Sequence, residues 1–255
     1  MLFFNDKIKV GEIMSLSVVI PCYNEESRKG LSFSERLDLV ADYLKTNISD
    51  YELILVSDGS TDNTESIIRS FAIHNSNIKI CCYKDNRGKG YAIKRGVCLS
   101  IKSFILIMDA DLSTDLSHIS SFYNLISSSN LDAVVGIREN AYKSSVRKGL
   151  SKLSHFCMKN ILKLDLDDTQ CGFKMCKSII LEDFVLKYQT CNNWLFDAEF
   201  LVFLKENKYR VTSEVVSWVN NEDSRVKVFS GVLTSTFELL RIFLKKSYYK
   251  RGFNL

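Results

Sequence analysis

Two aspartates stand one residue apart in Asp109-Ala110-Asp111, at the end of the apolar run Phe104–Asp109. If the extended chain continues through them, its two-residue period aims both carboxylates the same way. Two hard oxygen donors on one side suit Mg²⁺ or Mn²⁺, which in turn bridges the phosphates of a bound nucleotide. The alternative is a turn with two solvated acids. A second cluster, Asn86-Arg87-Gly88-Lys89-Gly90, offers phosphate chemistry. Its glycines would let backbone amides approach a phosphate, with Lys89 adding charge, unless they merely soften a turn into a helix. It is not a dinucleotide fingerprint, because no G-x-G-x-x-G follows the first strand. Nor is it a P-loop, since Lys89 lacks the spacing and the Ser/Thr.

These residues need a scaffold that gathers them. Apolar, β-branched runs at Leu16–Pro21, Tyr51–Ser57, Ile78–Tyr83, Phe104–Asp109 and Leu131–Gly136 read as strands. Segments of helical period, Thr64–His74 and Tyr91–Ser100 among them, lie between. Asp62, followed by Glu65 three residues later, reads as a capping signal for the second helix. Strands of this kind alternating with helices predict a mostly parallel sheet covered on both faces. Right-handed crossovers then bring the loops after the strands to one edge, where such sheets bind ligands. Pro21-Cys22-Tyr23-Asn24-Glu25-Glu26, Ser57–Thr64, Asn86–Gly90 and Asp109–Ser113 all fall there. After Leu150 the pattern predicts helices at Ser151–Leu162, Trp194–Asn207 and Val228–Leu244, and a strand near Tyr209–Val219.

The chain has 255 residues, 46% of them hydrophobic, and a single proline, which excludes a disordered or collagen-like polymer. The absence of a repeat or flexible linker favours one domain over residues 15–227, with a short extension before it (residues 1–14) and a basic helix and tail after it (residues 228–255). A formal net charge of +4 is too small for a nucleic-acid binder held by counterion release. From Arg225 onward there are seven Lys/Arg and one Glu, so a mildly acidic body carries a basic end. The eight cysteines include no C-x-x-C, which argues for reduced thiols and against a zinc site. No signal peptide stands at the N-terminus and no apolar stretch approaches about twenty residues, so a cytosolic chain without a membrane span is expected.

As a set, these motifs resemble those of family 2 inverting glycosyltransferases of the GT-A fold. Tyr23-Asn24-Glu25-Glu26, Ser57-Asp58-Gly59-Ser60, Asn86–Gly90 and Asp109-Ala110-Asp111 carry the resemblance in the first half. Asp168-Thr169-Gln170-Cys171-Gly172-Phe173-Lys174 and Trp194-Leu195-Phe196-Asp197-Ala198-Glu199 are similar to segments of dolichyl-phosphate β-glucosyltransferases and bacterial polyprenyl-phosphate relatives. Dolichyl-phosphate mannose synthases are cousins. The resemblance implies that Pro21, Tyr23, Glu25, Asp58, Lys89 and Asp109 serve the donor nucleotide. In particular, Tyr23 would lie against the base, Asp58 would accept a hydrogen bond from it, and Glu25 would hold the base or ribose. Asp109, Asp111 and Ser113 would serve Mg²⁺ or Mn²⁺, with Asp111 as direct ligand and Ser113 standing where the mannose synthases have a Gln. Asp197 and Glu199 are further site acids, for which orientation of Arg or Lys side chains is the favoured role. Two departures are plain: Ser57 replaces the first aspartate of the usual Asp-Asp-Gly-Ser, and Asn221–Lys227 is an altered form of the loop near the end.

An acceptor phosphate would be held by Arg138, Arg147 and Ser151. Arg138 follows the fifth strand, and Arg147 and Ser151 are four apart, hence on one face of a helix. A basic solvated helix face is the competing reading. None of the histidines, His74, His118 or His155, suggests a general base, and an ionised phosphate acceptor needs none. At the C-terminus, Phe237, Leu240, Phe243 and Leu244 recur at helical spacing beside Arg241, Lys245, Lys246, Lys250 and Arg251. That stripe either lies on an anionic membrane surface or packs on the body. The expected activity is transfer of a hexose, glucose from UDP-glucose, to a polyprenyl or dolichyl phosphate on the cytoplasmic face of a membrane. The alternatives are another donor such as GDP-mannose, a growing cell-surface glycan as acceptor, or a nucleotide-binding module without catalysis.

Overall fold

The computed structural model describes residues 15–28, 30–73, 75–138, 159–164, 168–219 and 228–250, with side chains from 234 onward in the last stretch. Residues 1–14, His74, Arg147, Ser151, His155 and the loop Asn221–Lys227 lie outside these, as do residues 251–255.

Seven strands form one sheet: β1 (Ser15–Cys22), β2 (Asp50–Asp58), β3 (Ile78–Tyr83), β4 (Phe104–Ile107), β5 (Ala133–Arg138), β6 (Lys174–Lys177) and β7 (Val211–Val216). Their order is β3-β2-β1-β4-β6-β5-β7. All pairings are parallel except those of β6, which runs antiparallel to both β4 and β5. The expected mostly parallel sheet is present, and β6 is the addition. Its sequence, Lys-Met-Cys-Lys, is short and begins and ends with charge, so it lacks the apolar signature of its neighbours.

Strand residues alternate between two apolar layers, as the pleat requires. Val18, Ile20, Leu53, Leu55 and Leu106 join one core with Phe33, Leu37, Ile68, Phe122 and Ile126. Val19, Ile54, Val56, Ile105 and Ile107 join the other with Ile93, Phe184, Phe196, Phe200 and Phe203. Helices α1 (Phe33–Asn47), α2 (Thr64–Ala72) and α4 (His118–Ser128) supply the first layer. Helices α3 (Lys89–Val97), α5 (Ser178–Asp183), α6 (Phe196–Glu206) and α7 (Val228–Leu244) supply the second.

The capping box sits at α1. Ser32 Oγ accepts from the Glu35 amide at 3.2 Å, and Glu35 Oε2 accepts from the Ser32 amide at 2.7 Å. The signal expected at Asp62 and Glu65 resolves differently. Asp62 Oδ1 receives the Thr64 amide at 3.0 Å, whereas Glu65 pairs with Arg69 one turn along the helix. Every cysteine among the described residues is a free thiol, and no helix among them is long and apolar enough to cross a membrane.

Candidate active site

The loops after β1, β2, β3 and β4 meet at one edge. Ser60 Oγ accepts from the Asn24 amide at 3.1 Å, and Thr64 Oγ1 accepts from the Glu25 amide at 2.7 Å. The first two loops are thereby joined. Asp58 ties the second to the third: its carboxylate accepts from the backbone amides of Arg87 at 2.8 Å and Gly88 at 3.0 Å. Both of its oxygens are therefore engaged in holding the glycine turn, a role distinct from the base contact that the resemblance implies. Tyr23 is partly exposed at this edge, while Pro21 is half-buried within β1 opposite Val56.

β4 ends at Ile107, so Asp109 and Asp111 do not continue the strand as the two-residue period assumed. The chain turns through Ala110, and Leu112 adopts a left-handed φ of 50°. Both acids nonetheless line one small cavity with Ser113 and Gly172. Gly172 is required there, because a Cβ would stand 2.2 Å from Asp109 Oδ2. Asp111 Oδ1 accepts from the Ser113 amide at 3.1 Å, and its Oδ2 accepts from Arg28 Nη1 at 3.0 Å.

Lys89 enters from the glycine turn. Its Nζ lies 2.8 Å from Asp109 Oδ1 and 3.6 Å from Asp197 Oδ2. Desolvation favours the neutral forms of both Lys89 and Asp109, but their mutual attraction overcomes it. The Asp109 carboxyl is held below the usual carboxylate range, helped by Arg138 and Lys174, and the Lys89 pKa is lifted above the ordinary lysine value. Asp197, buried in the first turn of α6, also accepts from Lys174 Nζ at 2.6 Å. Lys174 in turn donates to the Cys171 carbonyl.

Two expected residues have other occupations. Glu25 is buried, with Oε2 2.7 Å from Arg28 Nε and 2.9 Å from Arg36 Nη1. Burial raises its carboxyl pKa despite both arginines, with the Asp111 charge adding to the rise. Glu199 is wholly buried and, among the described residues, orients no Arg or Lys. It accepts from the amides of Thr190 and Cys191 and from the Tyr249 hydroxyl, at 2.8, 2.9 and 2.8 Å, and so braces the Gln189–Leu195 loop. Arg138 is gripped by Asp168 through Nε at 2.6 Å and Nη2 at 2.9 Å, with its guanidinium 5.5 Å from the Trp218 ring centroid. Arg147 and Ser151, expected beside it, fall outside the described residues.

Arg28, Arg36, Lys174 and Asp168 were not singled out from the sequence as site residues. Lys174 and Asp168 lie in the Asp168–Lys174 motif, which was the one available signal. Arg36 acquires its partner only when α1 docks beneath the β1 loop, and Arg28 reaches Asp111 only when the β4 exit lies beside that loop.

Among the described residues no three His, Cys, Asp or Glu side chains cluster to hold a metal ion. The Asp109, Asp111 and Ser113 corner offers two carboxylates and a hydroxyl on one cavity wall. This set fits a hard cation that takes its other ligands from phosphate and water. Lys89 and Arg28 lie against the two carboxylates where such a cation would add its charge.

This mostly parallel seven-stranded sheet flanked by helices has the GT-A glycosyltransferase fold. The chain belongs to glycosyl transferase family 2, whose family model matches residues 17–185. It is a glycosyltransferase. It is 28% identical over 240 residues to a dolichyl-phosphate beta-glucosyltransferase of Dictyostelium discoideum, covering 89% of this chain and 73% of that protein. A Trichomonas vaginalis protein of the same name is 31% identical over 89% of this chain and 72% of its own length. Among solved structures, glucosyl-3-phosphoglycerate synthase from Mycobacterium tuberculosis, in complex with Mn²⁺, UDP and glucosyl-3-phosphoglycerate, superposes with a TM-score of 0.66 at 13% identity. That match covers 91% of this chain and 80% of the other.

Proposed function

We propose that this glycosyltransferase moves glucose from UDP-glucose to a polyprenyl or dolichyl phosphate, with inversion at the anomeric carbon. The reading rests on Asp109 and Asp111 sharing one cavity wall at the sheet edge, each already against a protein cation. The names of relatives that match about nine-tenths of the chain support a glucosyl group and a dolichyl-phosphate acceptor, and the UDP donor rests on the family resemblance.

In this reading the nucleotide lies across the loops of Tyr23, Asp58 and Asn86–Gly90, and Asp58 acts by holding the glycine turn. Asp109, Asp111 and Ser113 would hold Mg²⁺ or Mn²⁺, which when bound stabilises negative charge on the departing diphosphate. The lipid phosphate, whose second pKa is about 6, is largely ionised at neutral pH and attacks the anomeric carbon directly. The new C–O bond forms as the bond to the UDP oxygen breaks. No side chain must remove a proton, in keeping with the burial of Asp197 against Lys174. Arg138 would contact the acceptor phosphate together with Arg147 and Ser151.

The enzyme would work as a peripheral protein on the cytoplasmic face of a membrane. Phe237, Leu240, Phe243 and Leu244 on α7 are exposed, with Lys245 and Lys250 close by, while Glu238 and Ile242 face inward. The exposure of that stripe supports the membrane reading, while the helix meets the body through other residues, Glu238 and Ile242.

Two variants test the acceptor. Arg138→Ala and Arg147→Ala should each raise the KM for lipid phosphate strongly, while titration with UDP and Mn²⁺ stays close to wild type. Full turnover in both variants would remove the lipid-phosphate assignment in favour of a glycan acceptor. UDP binding that ignores Mn²⁺ would remove the metal from the donor site.

A further inference from the structure

Helix α7 lies beyond the residues matched by the family model and carries a single acid, Glu238. Its side chain points inward and is only 5% exposed. Oε1 accepts from the backbone amide of Asn193 at 2.9 Å and from its side-chain amide at 3.2 Å. Oε2 accepts from the Leu195 amide at 3.1 Å. Further along the helix, Arg241 Nη1 donates to the Thr190 carbonyl at 2.9 Å. A cleft of about 250 Å³ runs along this seam, past Asn192 and Phe237. Polar bonds at Glu238 and Arg241 therefore span a seam that apolar packing leaves open.

The other side of the same loop bears on the glycine turn. The Asn192 carbonyl accepts from the Tyr91 amide at 3.1 Å, and Gln189 Nε2 bridges the carbonyls of Gly90 and Cys191 at 3.0 Å each. Gly88, with φ of 97°, lies so close that a Cβ would stand 2.4 Å from both the Asn192 carbonyl and Asn193 Oδ1. A Cβ on Gly90 would stand 2.7 Å from the Cys191 carbonyl. Asn193 thus presents its amide to Glu238 and its Oδ1 to Gly88. Asp58 fixes the turn from the β2 side, and the Glu238-bound loop confines it from the other. Lys89 projects from between them to Asp109.

We propose that Glu238 is a positioning residue of the donor site. By seating the Asn193 loop on the turn Gly88-Lys89-Gly90, it sets where the Lys89 ammonium meets Asp109. This rests on the reading of that corner as the nucleotide-sugar site. A carboxylate is required because three N–H groups converge on it and an ionised side chain only accepts. Glutamine keeps the volume but must turn an NH₂ group toward one of those donors. Aspartate is too short to reach both Asn193 and Leu195 from α7.

The test compares wild type with Glu238→Gln by UDP titration in Mn²⁺ and by separate KM values for UDP-glucose and polyprenyl phosphate. Glu238→Gln should weaken UDP binding and raise the donor KM about tenfold, leaving the acceptor KM within about twofold. A purely structural role would lower the melting temperature and the fraction of active enzyme but leave both KM values unchanged, and that result would overturn the proposal. Should Glu238→Gln fail to fold, Arg241→Ala interrogates the same loop from an exposed position. It should raise the donor KM about threefold, and an unchanged value would again refute the idea. Wild-type protein that binds no UDP would overturn the underlying donor reading, an outcome visible before any variant is made.

Discussion

Lys89 sets its ammonium 2.8 Å from Asp109 and 3.6 Å from Asp197, so one lysine from the turn after β3 serves acids from the β4 exit and from α6. Lys174 closes the group from β6, and Arg28 meets Asp111 across the corner. The acids gathered at the sheet edge are thus opposed by cations from three different segments. Such an arrangement is costly to break at Asp197, where the pair with Lys174 is buried and loss of either side chain strands the other's charge.

Asp109→Asn and Asp111→Asn should each lower kcat/KM at least about a hundredfold, the scale lost when one electrostatic contact to a developing charge is removed. Lys89→Met should also destabilise the fold, by about 1 kcal/mol, because half-exposed Asp109 loses its nearest cation while Asp197 keeps Lys174. Steady-state kinetics with chemical denaturation separates the two effects.

Gly172→Ala offers a sharper test of geometry. The added methyl would stand 2.2 Å from Asp109 Oδ2, so the carboxylate must move aside. The expected result is a loss of turnover approaching that of Asp109→Asn, by about a hundredfold, with Lys89 and both acids still present. Near-normal activity would mean that the Asp109 position does not matter to catalysis.

The Arg138–Asp168 pair predicts a change in pH dependence. Burial pushes the Asp168 carboxyl up, but the bonds and charge of Arg138 outweigh it and hold the pKa below the ordinary value. A depressed acid contributes stability that is complete above its unfolded pKa of about 3.9 and is lost on acidification below it. Wild-type melting temperature should therefore change little from this group between about pH 7 and 5. In Arg138→Ala the guanidinium's bonds and charge are lost and only the backbone amides of residues 138 and 170 still oppose burial, so the Asp168 pKa should rise. That variant should melt lower at neutral pH and regain part of the difference as Asp168 takes up a proton on mild acidification. Differential scanning calorimetry at several pH values reads it.

Membrane seating by α7 is open to a vesicle experiment. The protein should co-sediment with anionic vesicles and less with neutral ones. The double variant Phe243→Ser/Lys245→Gln, changing two exposed positions, should reduce the bound fraction at least about tenfold. Equal sedimentation of variant and wild type would remove α7 from the membrane contact.

Much of this site is legible in local sequence. The apolar runs ending at Pro21, Ser57 and Tyr83 locate three loops of the edge, since each strand's signal is local and each loop follows it directly. The Val228–Leu244 helix has the boundaries its periodicity predicts. What escapes local reading is partnership at a distance. Nothing near Glu25 says that Arg36 will lie beneath it, and Glu199 resembles a site acid until the loop it braces is seen. β6 was hidden by its flanking lysines, one of which, Lys174, goes inward to Asp197. Asp109 and Asp111 share a wall through a turn after Ile107, a backbone feature that a two-residue period cannot convey.

The central claim is that this chain transfers a sugar to a lipid phosphate. The direct measurement incubates the protein with Mn²⁺, polyprenyl phosphate and each of a panel of radiolabelled UDP- and GDP-sugars, then counts label extracted into organic solvent. Extractable label from UDP-glucose, dependent on the lipid and absent with Asp111→Asn, is the predicted result. No extractable label from any donor, or label that forms without the lipid phosphate, would contradict it.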